Sequence, residues 1–363
     1  MSGDSGADVA VGAFADELAV SYLKTYQVPG LGLGVVRDGK AIWRAGYGST
    51  RVGTNSRVTP DTLFHMASVT KPLVATAVMQ LVERGAVDLD EPFATFVPTF
   101  NIADARGREI TVRHLLTHTS GLPDVESYDW EHPEFDDDAL ERYIRSLGSI
   151  RLLTAPGERF AYSDIGFDIL GALIARISGV PFEQFVAAQI LEPLGMNASS
   201  LLLQKVNREL LASPHRCDER GYPQVLPVFP YNRRHAGSST LYSNVNDMLR
   251  WGAANLLGGQ LEGKRILHAS TLATMWTGSV GDVHAAIPRN GRVGLSWFVF
   301  QRKGDRIVGH MGQDDGFASL LLLVPERGVA VVSMGNRSHD YAQQGLWDLQ
   351  FRLIDRLCRS APD

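Results

Sequence analysis

The order of its periodic segments constrains this chain most: strand-like runs lie at both ends, and helix-like runs fill the middle. Near the start, 31–37 and 41–47 are short apolar runs joined by Asp38-Gly39, a dipeptide suited to the positive φ of a tight hairpin turn. Near the other end, 294–301, 306–311, 317–324 and 329–334 read as strands, the last two joined by Pro325-Glu326-Arg327-Gly328. Helical spacing runs from about 9 to 26 and from about 342 to 357, and it dominates from about 68 to 251. Strands at both chain ends pair most simply with each other. The expected architecture is therefore α+β (mixed α/β), an antiparallel sheet flanked by helices with a mainly helical insertion. The expected division is 1–60 with 245–363 for the sheet part and 61–244 for the helical part. A cleft between the two is the natural place for a site.

With 363 residues, 44% hydrophobic and 21% charged, the chain can bury a sizeable core. Its net charge is −5 and it has no long basic run, so no nucleic-acid partner is expected. No stretch approaches 18 consecutive apolar residues, so no membrane span is expected. The first twenty residues carry acidic groups where an export signal needs basic ones, which makes a cytoplasmic location the expectation. Cys217 and Cys358 are far apart and in no metal-like or redox-like spacing, so free thiols are the simpler reading. Oligomeric state has no signature here.

Three stretches carry chemistry. In the first, Ser68-Val69-Thr70-Lys71-Pro72 precedes an apolar helical face of Leu73, Val74, Ala77, Val78, Leu81 and Val82, ended by Gly85. Pro72 fits a first helical turn, so Ser68 is expected at the helix N-terminus with Lys71 on the same face. A serine is a poor nucleophile until a base takes its proton, and a lysine can be that base if its pKa is lowered. In the second, Tyr162-Ser163-Asp164 lies just before a helix whose face is Ile165, Ile169, Leu170, Leu173, Ile174 and Ile177, with Asp164 able to cap it. In the third, His310-Met311-Gly312-Gln313 ends a strand, and Gly312 would allow close backbone approach.

Together these stretches resemble the S-x-x-K, Y-x-N and K-T-G or H-x-G motifs of the β-lactamase-related serine hydrolases. That group includes class C β-lactamases, D-Ala-D-Ala carboxypeptidases, D-stereospecific aminopeptidases and family VIII carboxylesterases. The segment Leu115-Leu116-Thr117-His118-Thr119-Ser120-Gly121-Leu122-Pro123, the turn Pro193-Leu194-Gly195-Met196, and Asp90-Glu91-Pro92 are similar too, so the likeness spans about 31–334. It implies a penicillin-binding-protein-like fold. It also implies acylation of Ser68, with Lys71 and Tyr162 as a coupled base and acid, and an oxyanion hole from the backbone N–H groups of Ser68 and Gln313. His310 would orient substrate and tune the field. No cofactor or metal is needed. The departure is Asp164, where the family most often has Asn. A carboxylate cannot donate a hydrogen bond and favours a charged Lys71. Amide substrates become less suitable and esters stay open, with Tyr162 carrying more of the base role.

Other features compete for attention. Tyr242-Ser243-Asn244 is a literal Y-x-N, but it sits where the family has a segment following the helical part. His114 and His118 are four apart without a third ligand at sensible spacing, and His65 precedes the helix, so packing roles are expected for all three. Trp130 is a candidate for lining the cleft. G-x-S-x-G, G-x-x-x-x-G-K and H-E-x-x-H are all absent. The expected function is hydrolysis, or acyl transfer, of small-molecule esters through acyl-Ser68. The alternatives are a D-amino-acid peptidase or β-lactamase acting on amides, and a non-catalytic binding relative.

Overall fold

The computed structural model describes residues 4–98, 100–281, 291–338 and 340–359. Seven strands form an antiparallel sheet: β1 (Gly30–Arg37), β2 (Lys40–Gly48), β3 (Arg292–Val293), β4 (Phe298–Arg302), β5 (Asp305–Asp314), β6 (Phe317–Val324) and β7 (Val329–Gly335). Their spatial order is β2-β1-β7-β6-β5-β4-β3, so the two chain ends meet where β1 pairs with β7, Leu31 opposite Gly335 and Arg37 opposite Val329. Asp38 and Gly39 both have positive φ, 49° and 75°, as the hairpin between β1 and β2 requires.

The longer helices are α1 (Asp4–Tyr26), α2 (Thr70–Glu83), α3 (Asp164–Ser178), α4 (Val245–Leu256) and α5 (Asp340–Leu357). Alternation along β6 explains their placement. Leu320, Leu322 and Val324 join the core with α1 and α5, while Leu321 and Leu323 join the core with α2, α3 and α4. A strand buried on both faces needs a continuous apolar run, which 320–324 supplies. Gly32 and Gly34 let α4 lie close on β1. A Cβ at either would come within 2.8 Å or less of a Val245 methyl.

Three elements differ from the sequence expectation. The run 294–301 is a strand only from Phe298. Gly294 donates its N–H to Trp297 O, and Ser296 takes φ 74°, so 294–297 is a turn. Helix α1 starts earlier than expected, at Asp4. Strand β5 runs on to Asp314, past the expected end at 311. That extension matters: β4 pairs with β5 only as far as Phe298 opposite Gly309, whereas β6 pairs with it through Asp314. From His310 onward β5 therefore has one edge that β4 does not cover.

Candidate active site

Ser68 lies in a 3-10 turn, Ala67–Val69, that runs directly into α2. Ala67 before it is buried in the left-handed region at φ 47°, where an alanine is strained. The turn is held from the sheet side. Ser319 Oγ of β6 donates to Met66 O at 2.7 Å. Gly312 lies so close that a Cβ on it would sit 2.2 Å from Met66 O and 3.0 Å from Ser68 N. The glycine expected for close backbone approach is thus the one that brings the β5 edge against the Ser68 turn.

Lys71 follows Ser68 by one helical turn, and its side chain is fully buried. Its Nζ lies 2.9 Å from Ser68 Oγ, 2.8 Å from Ser238 O and 2.6 Å from Asp164 Oδ1. An ammonium has three N–H donors, which these three acceptors can take up. The Tyr162 ring lies beside Lys71, whose Nζ is 5.1 Å from the ring centroid. Burial pulls the Lys71 pKa down, but the Asp164 carboxylate and Tyr162 outweigh it, and Lys71 stands above the ordinary lysine value. Tyr162 also stands above the ordinary phenol value: burial raises it, Lys71 opposes and Asp164 adds to the rise.

Asp164 is not the helix cap expected from sequence. Ser163 is, with its Oγ accepting from Gly166 N–H, which leaves Asp164 free to turn inward at the first helical position. Its backbone N–H donates to Asp124 Oδ1 at 2.8 Å. One carboxylate oxygen faces Lys71, and the other accepts from the Tyr128 hydroxyl. His118 stacks on the Tyr162 ring, with centroids 4.2 Å apart, and its Nδ1 accepts from Ser163 N–H. It therefore positions the tyrosine. His114 accepts from Thr111 N–H in a capping box.

His310 is buried in β5. Its Nδ1–H donates to Met311 O at 2.6 Å, and Nε2 has no hydrogen-bond partner among the described residues. Burial, reinforced by Lys71, lowers its pKa to about 3, so it is a neutral group at working pH. The sign for stability follows. Above an unfolded histidine pKa of about 6.5 neither state binds this proton; below it only the unfolded chain does, until pH falls to about 3. The chain is expected to lose roughly 2–3 kcal/mol through this residue between pH 6.5 and 4.5. Guanidinium denaturation at both pH values checks this. An unchanged pH dependence in His310→Asn would refute it.

The other motif-like residues have structural work. Tyr242 is fully buried in a two-residue strand against Phe64–His65, and its hydroxyl donates to Pro230 O. Asn244 caps α4. His65 packs as expected on Tyr242 and Phe317, but its Nε2 also meets Asp314 at 2.7 Å, which ties the end of β5 to the residues preceding Ser68.

The pattern of the Beta-lactamase family matches residues 15–351, nearly the whole chain. The chain belongs to the beta-lactamase family. Its fold is that of the penicillin-binding-protein and beta-lactamase group, and its activity class is serine hydrolase. Among curated relatives, the D-alanyl-D-alanine-carboxypeptidase/endopeptidase AmpH of Escherichia coli K12 is 30% identical, over 85% of this chain and 80% of that protein. Penicillin-binding protein 4 of Amycolatopsis lactamdurans is 29% identical, over 86% of this chain and 81% of that protein. Among solved structures, the octameric penicillin-binding protein homologue from Pyrococcus abyssi superposes with a TM-score of 0.79 at 26% identity, covering 93% of this chain and 77% of that one. SurE gives the same TM-score and identity over 99% of this chain and 79% of that one.

Sequence reasoning missed Tyr128 and Ser238, the two groups that complete the Asp164 and Lys71 contacts. Ser238 enters through a backbone carbonyl, which no side-chain pattern can signal. Tyr128 lies in the loop after Leu122-Pro123, five positions past the end of that segment, and only folding brings it to Asp164.

Proposed function

We propose that this beta-lactamase-family hydrolase is a carboxylesterase, or an acyl-transferring hydrolase, of small esters. The observation that carries the reading is the contact of Ser68 Oγ with Lys71 Nζ at 2.9 Å, with the Tyr162 ring beside the lysine. Ser68 Oγ attacks the ester carbonyl carbon while its proton passes to the Tyr162–Lys71 pair. The backbone N–H groups of Ser68 and Gln313 receive the oxyanion. The pair then returns the proton to the departing alcohol, and the acyl group stays on Ser68. Water, deprotonated by the same pair, attacks the acyl carbon and releases the acid and a reprotonated Ser68.

Two features favour esters over amides. An amine leaving group needs firmer protonation and, commonly, a donor to a flanking amide carbonyl. The Asp164 carboxylate supplies no donor, and both of its oxygens are already engaged by Lys71 and Tyr128. The neutral His310 brings no positive charge for the carboxylate of a β-lactam or D-Ala peptide. Hydrolysis of D-amino-acid amides is the second reading, favoured by the likeness to AmpH.

The test is p-nitrophenyl butyrate hydrolysis by the wild type beside Ser68→Ala, with mass spectrometry of the Ser68 peptide after a fluorophosphonate. Turnover lost by at least ~10³-fold and a label on Ser68 are expected. Equal turnover in the two proteins would place the nucleophile elsewhere.

A further inference from the structure

A cavity of about 410 Å³ shares Tyr128 with the Asp164 contacts and has no part in the chemistry described above. One wall is the Tyr128–Trp130 pair, stacked with centroids 4.9 Å apart and planes 12° apart. The apolar stretch 226–228 also lines it. Two links tie it to the reacting groups. Tyr128, which lines it, has its hydroxyl on Asp164. Asp315, also in the lining, is two residues past Gln313, in the turn that follows β5.

The charges in the lining are unequal. Asp129, Glu131 and Asp315 face a single cation, Arg216, and Arg216 is tied to Asp315 at 2.8 Å. Asp129 also meets His132 at 2.9 Å and Arg234 at 3.8 Å. Glu131 has no ion pair among the described residues. An aromatic wall with surplus carboxylate is the chemistry that holds an organic cation, through the ring face and through charge. It repels an organic anion.

We propose that this cavity is a substrate subsite for a cationic, amine-bearing group, so that the preferred esters carry a positive charge. The inference rests on the reading of Ser68 as the acylated nucleophile. It sets this chain apart from hydrolases of anionic substrates by the sign of the charge it selects.

Binding is measured first, because it needs no turnover. Titration calorimetry compares benzyltrimethylammonium, benzyl alcohol and phenylacetate on the wild-type protein. The cation is expected to bind about tenfold more tightly than the neutral alcohol, and phenylacetate more weakly than either. Trp130→Ala and Glu131→Gln should each weaken the cation severalfold, with a smaller effect on benzyl alcohol for Glu131→Gln. The second arm uses p-nitrophenyl butyrate turnover, which the cation should inhibit competitively. Butyrylcholine against 3,3-dimethylbutyl butyrate, and p-nitrophenyl 6-(trimethylammonio)hexanoate against p-nitrophenyl heptanoate, then assign the subsite to the alcohol or the acyl side. Equal binding of the three probes, preference for phenylacetate, or inhibition that is not competitive would overturn the proposal. Cation binding that depends on Trp130 and Glu131, with no ester turned over, would remove the esterase reading and leave the cation site standing.

Discussion

Lys71→Met should lower kcat/KM for p-nitrophenyl butyrate by about 10²–10⁴-fold, the range for loss of a proton-transfer group. It should also cost roughly 3–5 kcal/mol of stability, because the nearly buried Asp164 would lose the cation 2.6 Å from it. The two losses have different causes, and a second substitution separates them. In Lys71→Met with Asp164→Asn, the buried carboxylate is gone as well, so most of the stability should return while the activity should not. Chemical denaturation and steady-state kinetics on the three variants make the comparison. A Lys71→Met protein as stable as the wild type would mean that Asp164 does not depend on the lysine. Recovery of turnover in the double variant would mean that Lys71 handles no proton.

Asp164→Asn should move the pH dependence of ester turnover toward acid. Asp164 raises the pKa of both Lys71 and Tyr162, in each case beside a burial effect that is larger. The active form of the pair has lost one proton, so with Asp164 present that form is reached only as pH rises. Removing the carboxylate lowers both values, and the rising limb of kcat/KM should shift down by at least ~1 pH unit, tenfold in rate at a fixed pH on that limb. The new side-chain N–H also supplies the donor missing for amides, so turnover of D-Ala anilides or nitrocefin should rise from its wild-type level. The result that sinks this account is loss of ester turnover at every pH. It would show that the carboxylate itself takes the serine proton by way of Lys71. An unchanged amide rate would sink the argument about substrate class alone.

Much of the frame was legible before folding. Short apolar runs at both ends and the Asp38-Gly39 turn specify strands and a hairpin through local backbone preference. Ser68 and Lys71 meet because residues three apart share a helix face, which is also local. Gly312 was legible for a similar reason: a glycine at a strand end near a motif marks a close approach, here to Met66 O and Ser68 N. Among the differences, two have a clear tertiary cause. The 294–301 run looks uniformly strand-like, and only the packing of Gly294 on Met275 O turns its first half away from the sheet. Asp164 has the chemistry of a cap, but Ser163 takes that place because its hydroxyl can also reach Pro123 O.

What the sequence determined by itself, then, is the set of elements and the chemical identity of Ser68, Lys71 and Tyr162, since these follow from periodicity and from residues near one another in the chain. The environment of those groups was decided by the tertiary structure alone. Asp164 and Tyr128 are 36 positions apart, and Lys71 and the Ser238 carbonyl 167 apart, yet they form one buried contact set. The proton affinity of Lys71 and Tyr162 depends on burial and on charges brought in from those distances. Electrostatic energy falls with separation in space and is blind to separation along the chain.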